Sequence, residues 1–128
     1  MTNLEINHWL PRLQQLAARA MAQDAAHDQA HLQRVWGNAQ QLLQHYPQTD
    51  ALVVLSACYL HDVVNLPKNH PDRAQASQLA AQKAVALLQA EGFAADKLPG
   101  VAHAIAAHSY SAQITPETLE AQIVQDAD

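Results

Sequence analysis

The chain has 128 residues, 49% of them hydrophobic, with 12 acidic and 7 basic side chains for a net charge of −5 with the histidines neutral. That length gives a single domain over 1–128 with a real core, and that charge excludes the basic footprint of a protein that grips long nucleic acid. A single cysteine excludes an intrachain disulfide and fits a reducing compartment.

The N-terminus has no basic-then-apolar signal pattern, and the run Ala51 to Leu60 is too short to span a bilayer, so a cytoplasmic protein with no membrane partner is expected. Ala, Leu and Gln are abundant while Gly and aromatic residues are few, a composition that favours helices and an all-α fold. Leu4 to Met21 reads as the first amphipathic helix, with Leu10, Leu13, Leu16, Ala17 and Ala20 at helical spacing. Pro11 belongs near its start, or breaks it after a short opening turn. Trp9 is expected to close one end of the core. Asp24 to Asp28 is a polar connector.

The second helix is expected from about Asp28 to Tyr46, with the stripe Leu32, Val35, Trp36, Ala39, Leu42, Leu43 and Tyr46. His31 lies four residues before Val35 and so belongs to the inward face. His27 lies one turn further back on the same side, and His45 falls at the exposed far end. Arg34 reads as a tie between helices through a carboxylate. Pro47 stops this helix, and Thr49 or Asp50 can cap the next.

The third helix, Ala51 to about Val63, is apolar nearly all round and is therefore the central, buried one. His61 and Asp62 occupy its last turn. Neighbouring side chains on a helix point ~100° apart, so one cation can take a nitrogen from the first and an oxygen from the second. The plainer alternative is a hydrogen-bonded histidine beside a helix-end aspartate. Cys58, inside the same run, reads as core and not as a nucleophile.

Asn65 to Asp72 holds Pro67 and Pro71 and reads as a loop. Lys68, His70 and then Arg73 concentrate cations just after the His-Asp pair. They form either a solvated loop or a phosphate-holding one, since Lys and Arg partner phosphate oxygens. The fourth helix, about Arg73 to Ala90, presents Ala76, Ala80 and Ala84 with Leu87 and Leu88, and ends at Glu91-Gly92. In the fifth, about Pro99 to Ser109, Val101, Ile105 and His108 share one stripe. His108 therefore points inward, while His103 sits ~140° away. Thr115-Pro116-Glu117 is a helix start with Thr as cap and Pro first. The last helix carries Leu119, Ile123 and Val124, then Asp126-Ala127-Asp128, where the pattern stops uncapped, as in a truncated longer helix.

Inward ligands are thus offered by His31, by His61 with Asp62, and by an acid of the last helix. Two imidazole nitrogens and two carboxylate oxygens are a mixed, fairly hard set. The lack of thiolates argues against structural zinc. Such a set leaves positions open to water or substrate and suits Mn, Mg, Fe, Co or Ni. Its chemistry is activation of a water and neutralisation of phosphoryl charge. Periodicity leaves Asp126 and Asp128 undecided, at similar angles on opposite sides of the inward arc.

At this point the sequence resembles the HD-domain superfamily of metal-dependent phosphohydrolases. The resemblance is carried by His27-Asp28-Gln29-Ala30-His31 with Arg34-Val35, by Tyr59-Leu60-His61-Asp62, by Ala106-Ala107-His108-Ser109, and by Ile123-Val124-Gln125-Asp126-Ala127-Asp128. It covers about His27 to Asp128. It is nearest to small bacterial members that cleave nucleotides or other phosphate compounds, some as pyrophosphohydrolases.

The resemblance implies a compact bundle of five to six helices, apparently truncated at its C-terminus, around one divalent cation. It implies His31, His61, Asp62 and one of the last two acids as ligands. The family's Ala-Asp pair matches Ala127-Asp128, which selects Asp128, with Asp126 as the fallback or as a residue set behind the ligands. The implied activity is hydrolysis of a phosphomonoester or pyrophosphate bond in a small molecule, a nucleotide foremost, by a metal-activated water. Asp62 would take up a proton through its second oxygen. Lys68 and Arg73 would hold phosphate, and His108 would bind substrate or a second metal. His27 would orient His31 or a ligand carboxylate. Two other readings stay open. One is a non-catalytic module that binds metal and nucleotide, or that pairs with another chain, including a second copy. The other is a di-iron oxygenase drawing on His103 and His108.

Overall fold

A computed structural model describes residues 3–21, 25–64, 66, 69–109 and 112–128, with the side chains of 3 and 25–27 left out. Among the described residues there are six α-helices and no strand. They are α1 (Asn3–Ala20), α2 (Ala25–Leu43), α3 (Ala51–Leu60), α4 (Ala76–Ala90), α5 (Leu98–Ala106) and α6 (Leu119–Ala127). Single 3-10 turns, Arg73–Gln75 and Ala95–Lys97, lead into α4 and α5. Among these residues no helix is long and apolar enough to cross a membrane.

The fold is organised around α3, which every other helix touches. All of Leu52 to Leu60 is buried, as expected for a helix with no polar face. Burying each of Leu52, Leu55 and Leu60 contributes ~1.5–3 kcal/mol relative to exposure. Asp50 is the N-cap of α3, its side chain accepting from the backbone N–H groups of Leu52 and Val53 at 3.1 and 3.4 Å. The same residue ties α3 to two neighbours. Its other oxygen receives Lys97 Nζ at 2.6 Å, and its N–H donates to Glu120 at 2.9 Å.

The small stripe Ala76, Ala80 and Ala84 of α4 is buried, and α4 packs most extensively on α5. Beyond α4, Gly92 adopts φ +79°. Its N–H donates to the Gln89 carbonyl while that of Phe93 reaches back to Leu88, which closes the helix as a Schellman motif. Phe93 then packs edge-on against Trp9 with ring centroids 4.9 Å apart. Trp9 does close one end of the core.

Three sequence expectations are corrected. Pro11 neither starts nor breaks the first helix, because α1 continues through it. The lost hydrogen bond is offset by packing on both sides of it, at Trp9, Leu13 and Leu16. The third helix ends at Leu60, so His61 is its C-cap and Asp62 lies beyond it. The last helix is capped by Thr118, not Thr115. Thr118 accepts from Ala121 N–H at 3.0 Å. Glu117 N–H is instead drawn to Nε2 of His103 on α5, 2.9 Å away.

Candidate metal centre

α3 ends where an imidazole can serve two masters. His61 Nδ1 donates to the Cys58 carbonyl at 2.7 Å, one of the carbonyls a helix terminus leaves without a partner. That bond fixes the ring and turns Nε2 toward His31 of α2 and the end of α6. His108 repeats the device at the end of α5, its Nδ1 bonded to the Ile105 carbonyl. The sequence signal in both cases is a histidine three residues after a carbonyl in the last turn of an apolar helix.

Around His61 Nε2 the chain gathers four more groups. Asp62 Oδ2 lies 3.2 Å away and Asp128 Oδ1 3.3 Å away. His31 Nε2 lies 3.6 Å from each of those two oxygens. His108 Nε2 is 4.0 Å from Asp128 Oδ2. The ring of His61 is thus flanked by those of His31 and His108, with centroids at 5.8 and 4.9 Å. His31, His61 and Asp128 offer ligand atoms all within 4.8 Å of one another, and so do His61, Asp62 and His108.

The donor set passes a direct test of fit to a cation. The His61 ring is fully buried, yet its Nε2 makes no hydrogen bond of acceptable geometry. The two carboxylate oxygens, 3.2 and 3.3 Å away, are within ion-pair range of it. An orphaned buried nitrogen costs ~1–3 kcal/mol. A divalent cation shared with Asp62 and Asp128 would satisfy it and neutralise both acids. The side-chain exposures of His31 and Asp62, 36% each, show that the cluster opens to solvent on its other side.

Electrostatics follow from this crowding. Burial by itself lowers the His61 pKa, but the proximity of Asp128 and Asp62 outweighs it and raises it to about 10. Asp62 is pushed up by burial, yet His61, with His108 and His31 behind it, holds its carboxyl below the usual range. His61 likewise depresses Asp128, against a smaller effect of burial. Burial and the neighbouring His61 lower His108, which favours a neutral imidazole. Burial, with Asp128 adding to it, pushes the Cys58 thiol well above its ordinary range. Cys58 is therefore core.

A cavity of about 470 Å³ opens over the cluster, walled by His61, Asp62, Arg73, Ser77, His108 and Asp128 among others. Arg73 donates from Nη1 to the Leu66 carbonyl at 3.1 Å, which ties the segment after Asp62 to the cavity rim. Lys83 on α4 reaches the Val63 carbonyl at 3.4 Å. The structure thus brings His31, His61, Asp62, Asp128, His108 and Arg73 together. It does not bring Asp126 in, which is exposed on α6. His70 accepts from Asp72 N–H at 3.0 Å and does not line this cavity. Lys68 lies outside the described residues, as does the side chain of His27.

Sequence reasoning missed the amides that hold the walls. Asn38 on α2 donates to the Ala127 carbonyl at 3.1 Å, fixing the turn that carries Asp128. Gln125 donates to the Ala107 carbonyl at 3.1 Å and couples α6 to the end of α5. Ser77 Oγ donates to the Ala106 carbonyl at 2.9 Å. No local pattern marks one amide among so many in a Gln-rich chain. Arg34 is corrected as well. Among the described residues it makes no ion pair or hydrogen bond that would tie helices together.

The family model described as HD domain matches residues 29–128, and the chain belongs to that family of metal-dependent phosphohydrolases. HD domains bind divalent metals, and the His/Asp groups here can hold one. A search of curated proteins finds no match to the chain.

Proposed function

We propose that this protein hydrolyses a small phosphorylated molecule, with nucleotides the first class to test, and that His31, His61, Asp62 and Asp128 hold the divalent cation it uses. The observation that carries the reading is the buried, unpartnered His61 Nε2 facing two carboxylates at the floor of a cavity that Arg73 also lines. The donor set suits Mn, Mg, Fe, Co or Ni. Bound there, such an ion supplies Lewis-acid polarisation of a phosphoryl oxygen and a lowered pKa for water.

The chain's own residues account for the rest. Asp62 turns Oδ2 to the two imidazoles, which leaves Oδ1 to take up the proton of the attacking water. An ionised carboxylate is able to accept that proton. Arg73, held at the rim by its bond to the Leu66 carbonyl, brings a positive charge to phosphoryl oxygens. His108, its side chain 10% exposed, offers Nε2 to the substrate or to a second cation shared with His61 and Asp62. Two metal ions per chain would favour that last role. The buried free thiol of Cys58 is in keeping with the cytoplasm.

The test is phosphate release from a panel of nucleotides and aryl phosphates with each ion, on the parent and on Asp62→Asn. Multiple turnovers that fall by ~10²-fold or more in the variant are expected for loss of a general base. Substrate binding without turnover under saturating metal would replace the reading with a non-catalytic binding module.

A further inference from the structure

One part of the cavity wall is built on a short strip of backbone. The end of α5 presents three consecutive carbonyls, those of Ile105, Ala106 and Ala107, where a helix terminus runs short of partners of its own. Each takes a hydrogen bond from a side chain that lines the cavity over the cluster. His108 Nδ1 serves Ile105. Ser77 Oγ, from α4, serves Ala106 at 2.9 Å. Gln125 Nε2, from α6, serves Ala107 at 3.1 Å.

A carbonyl can only accept, so these bonds settle how the side chains are turned. Ser77 has given its one hydrogen away and keeps only lone pairs. Gln125 has given one amide hydrogen and keeps Oε1 and its second N–H. No described residue donates to either oxygen. Ser77 is only 4% exposed and Gln125 is half-buried. A molecule that fills the cavity displaces the water that would serve these acceptors, and an acceptor then left without a donor is costly. Their place is beside the cluster. Gln125 precedes Asp128 by three residues and shares its face of α6. The ring of His108, next in the same row, stands 4.9 Å from that of His61. The two acceptors therefore face the first carbons of whatever group carries the phosphate.

We infer that Ser77 and Gln125 read hydroxyl groups on the organic part of the substrate, so that the phosphate is carried by a sugar or polyol with hydroxyls close to the phosphate-bearing carbon. Both acceptors are uncharged, which suits a neutral donor; an ammonium makes its stronger bonds to carboxylates. A hydroxyl also accepts. It can give its hydrogen to Ser77 Oγ or Gln125 Oε1 and take the second N–H of Gln125. Acceptors tied to adjacent carbonyls match hydroxyls on adjacent carbons. The inference rests on the phosphohydrolase reading and narrows it, since a nucleotide is then read at this wall through its sugar.

The test compares two phosphonates that cannot be hydrolysed and differ only in a pair of hydroxyls. 3,4-Dihydroxybutylphosphonate and butylphosphonate are titrated calorimetrically into protein loaded with Mn²⁺, the ion kept in excess over the phosphonate. The parent, Ser77→Ala and Gln125→Leu are compared. The parent is expected to bind the diol about tenfold tighter or more, and in each variant that ratio falls toward one. A purely structural role for either side chain, or a weakened metal site, lowers the affinity for both probes together and leaves their ratio unchanged. Equal binding of the two probes by the parent, or a ratio that survives in either variant, overturns the inference and leaves the phosphohydrolase reading standing. Binding of neither probe by metal-loaded parent protein overturns both.

Discussion

The placement of Asp128 is expected to depend on one amide. Asn38 Nδ2 donates to the Ala127 carbonyl at 3.1 Å, and the next residue directs its carboxylate at His31 and His61. Asn38→Ala removes the bond and leaves the carbonyl partly open to water. A net hydrogen bond is worth ~0.5–1.5 kcal/mol, and the exposed position of Asn38 favours the lower half of that range. If this energy holds Asp128 in place, its loss appears as a metal dissociation constant raised about two- to fivefold. The same variant with chelator present should lose no more than ~1 kcal/mol of stability. The assay is Mn²⁺ or Co²⁺ titration beside urea melts in chelator, with the exposed Gln40→Ala as a control. Gln125→Ala, which frees α6 from the Ala107 carbonyl, should act in the same direction, and the double variant more strongly than either. Unchanged metal affinity in Asn38→Ala, with stability alone reduced, would refute the reasoning.

Three further outcomes are expected from the scaffold. Gly92→Ala meets no atom within 4 Å, so its cost is that of a left-handed backbone at φ +79°, ~1–2 kcal/mol in a urea melt. The hydrogen bond to Asp50 raises the Lys97 pKa above its ordinary 10.5. A group raised on folding stabilises fully below its unfolded value and loses that effect as pH rises through the folded one. Lys97→Met should therefore cost at most ~1 kcal/mol at pH 8, and the gap from the parent should close in melts taken above pH 10.5. Cys58, buried and with its thiol held protonated, should resist a thiol reagent at pH 8 until the chain unfolds; rapid labelling of the folded protein would contradict its place in the core.

Much of the scaffold was legible because it depends on local pattern. The apolar run from Ala51 forced a buried helix with Thr49 or Asp50 to cap it, and Glu91-Gly92 marked a helix end. What could not be read locally was decided by contacts distant in sequence. Thr115-Pro116 looks like a helix start, yet Glu117 N–H goes to His103, fourteen residues earlier, and the cap moves to Thr118. Pro11 reads as a breaker until the packing of Trp9, Leu13 and Leu16 is known. The candidate site divides in the same way. Helical phase pointed His31 and His108 inward, but it could not choose between Asp126 and Asp128, whose placement depends on how α6 lies against α2. Only the resemblance to a family favoured Asp128. Nothing in the sequence announced the amides of Asn38 and Gln125, or that Arg34 would lack a partner among the described residues.

The central claim is that His31, His61, Asp62 and Asp128 together bind one divalent cation. Its most direct test is elemental analysis of protein purified without chelator, on the parent, His61→Ala and Asp128→Asn. The second variant guards against misfolding of a change at the buried His61. About one Mn, Fe, Co, Ni or Mg ion per chain in the parent, with loss in both folded variants, is predicted. Parent protein that holds no divalent ion after incubation with each in turn, or variants that hold it as well as the parent, would contradict the account.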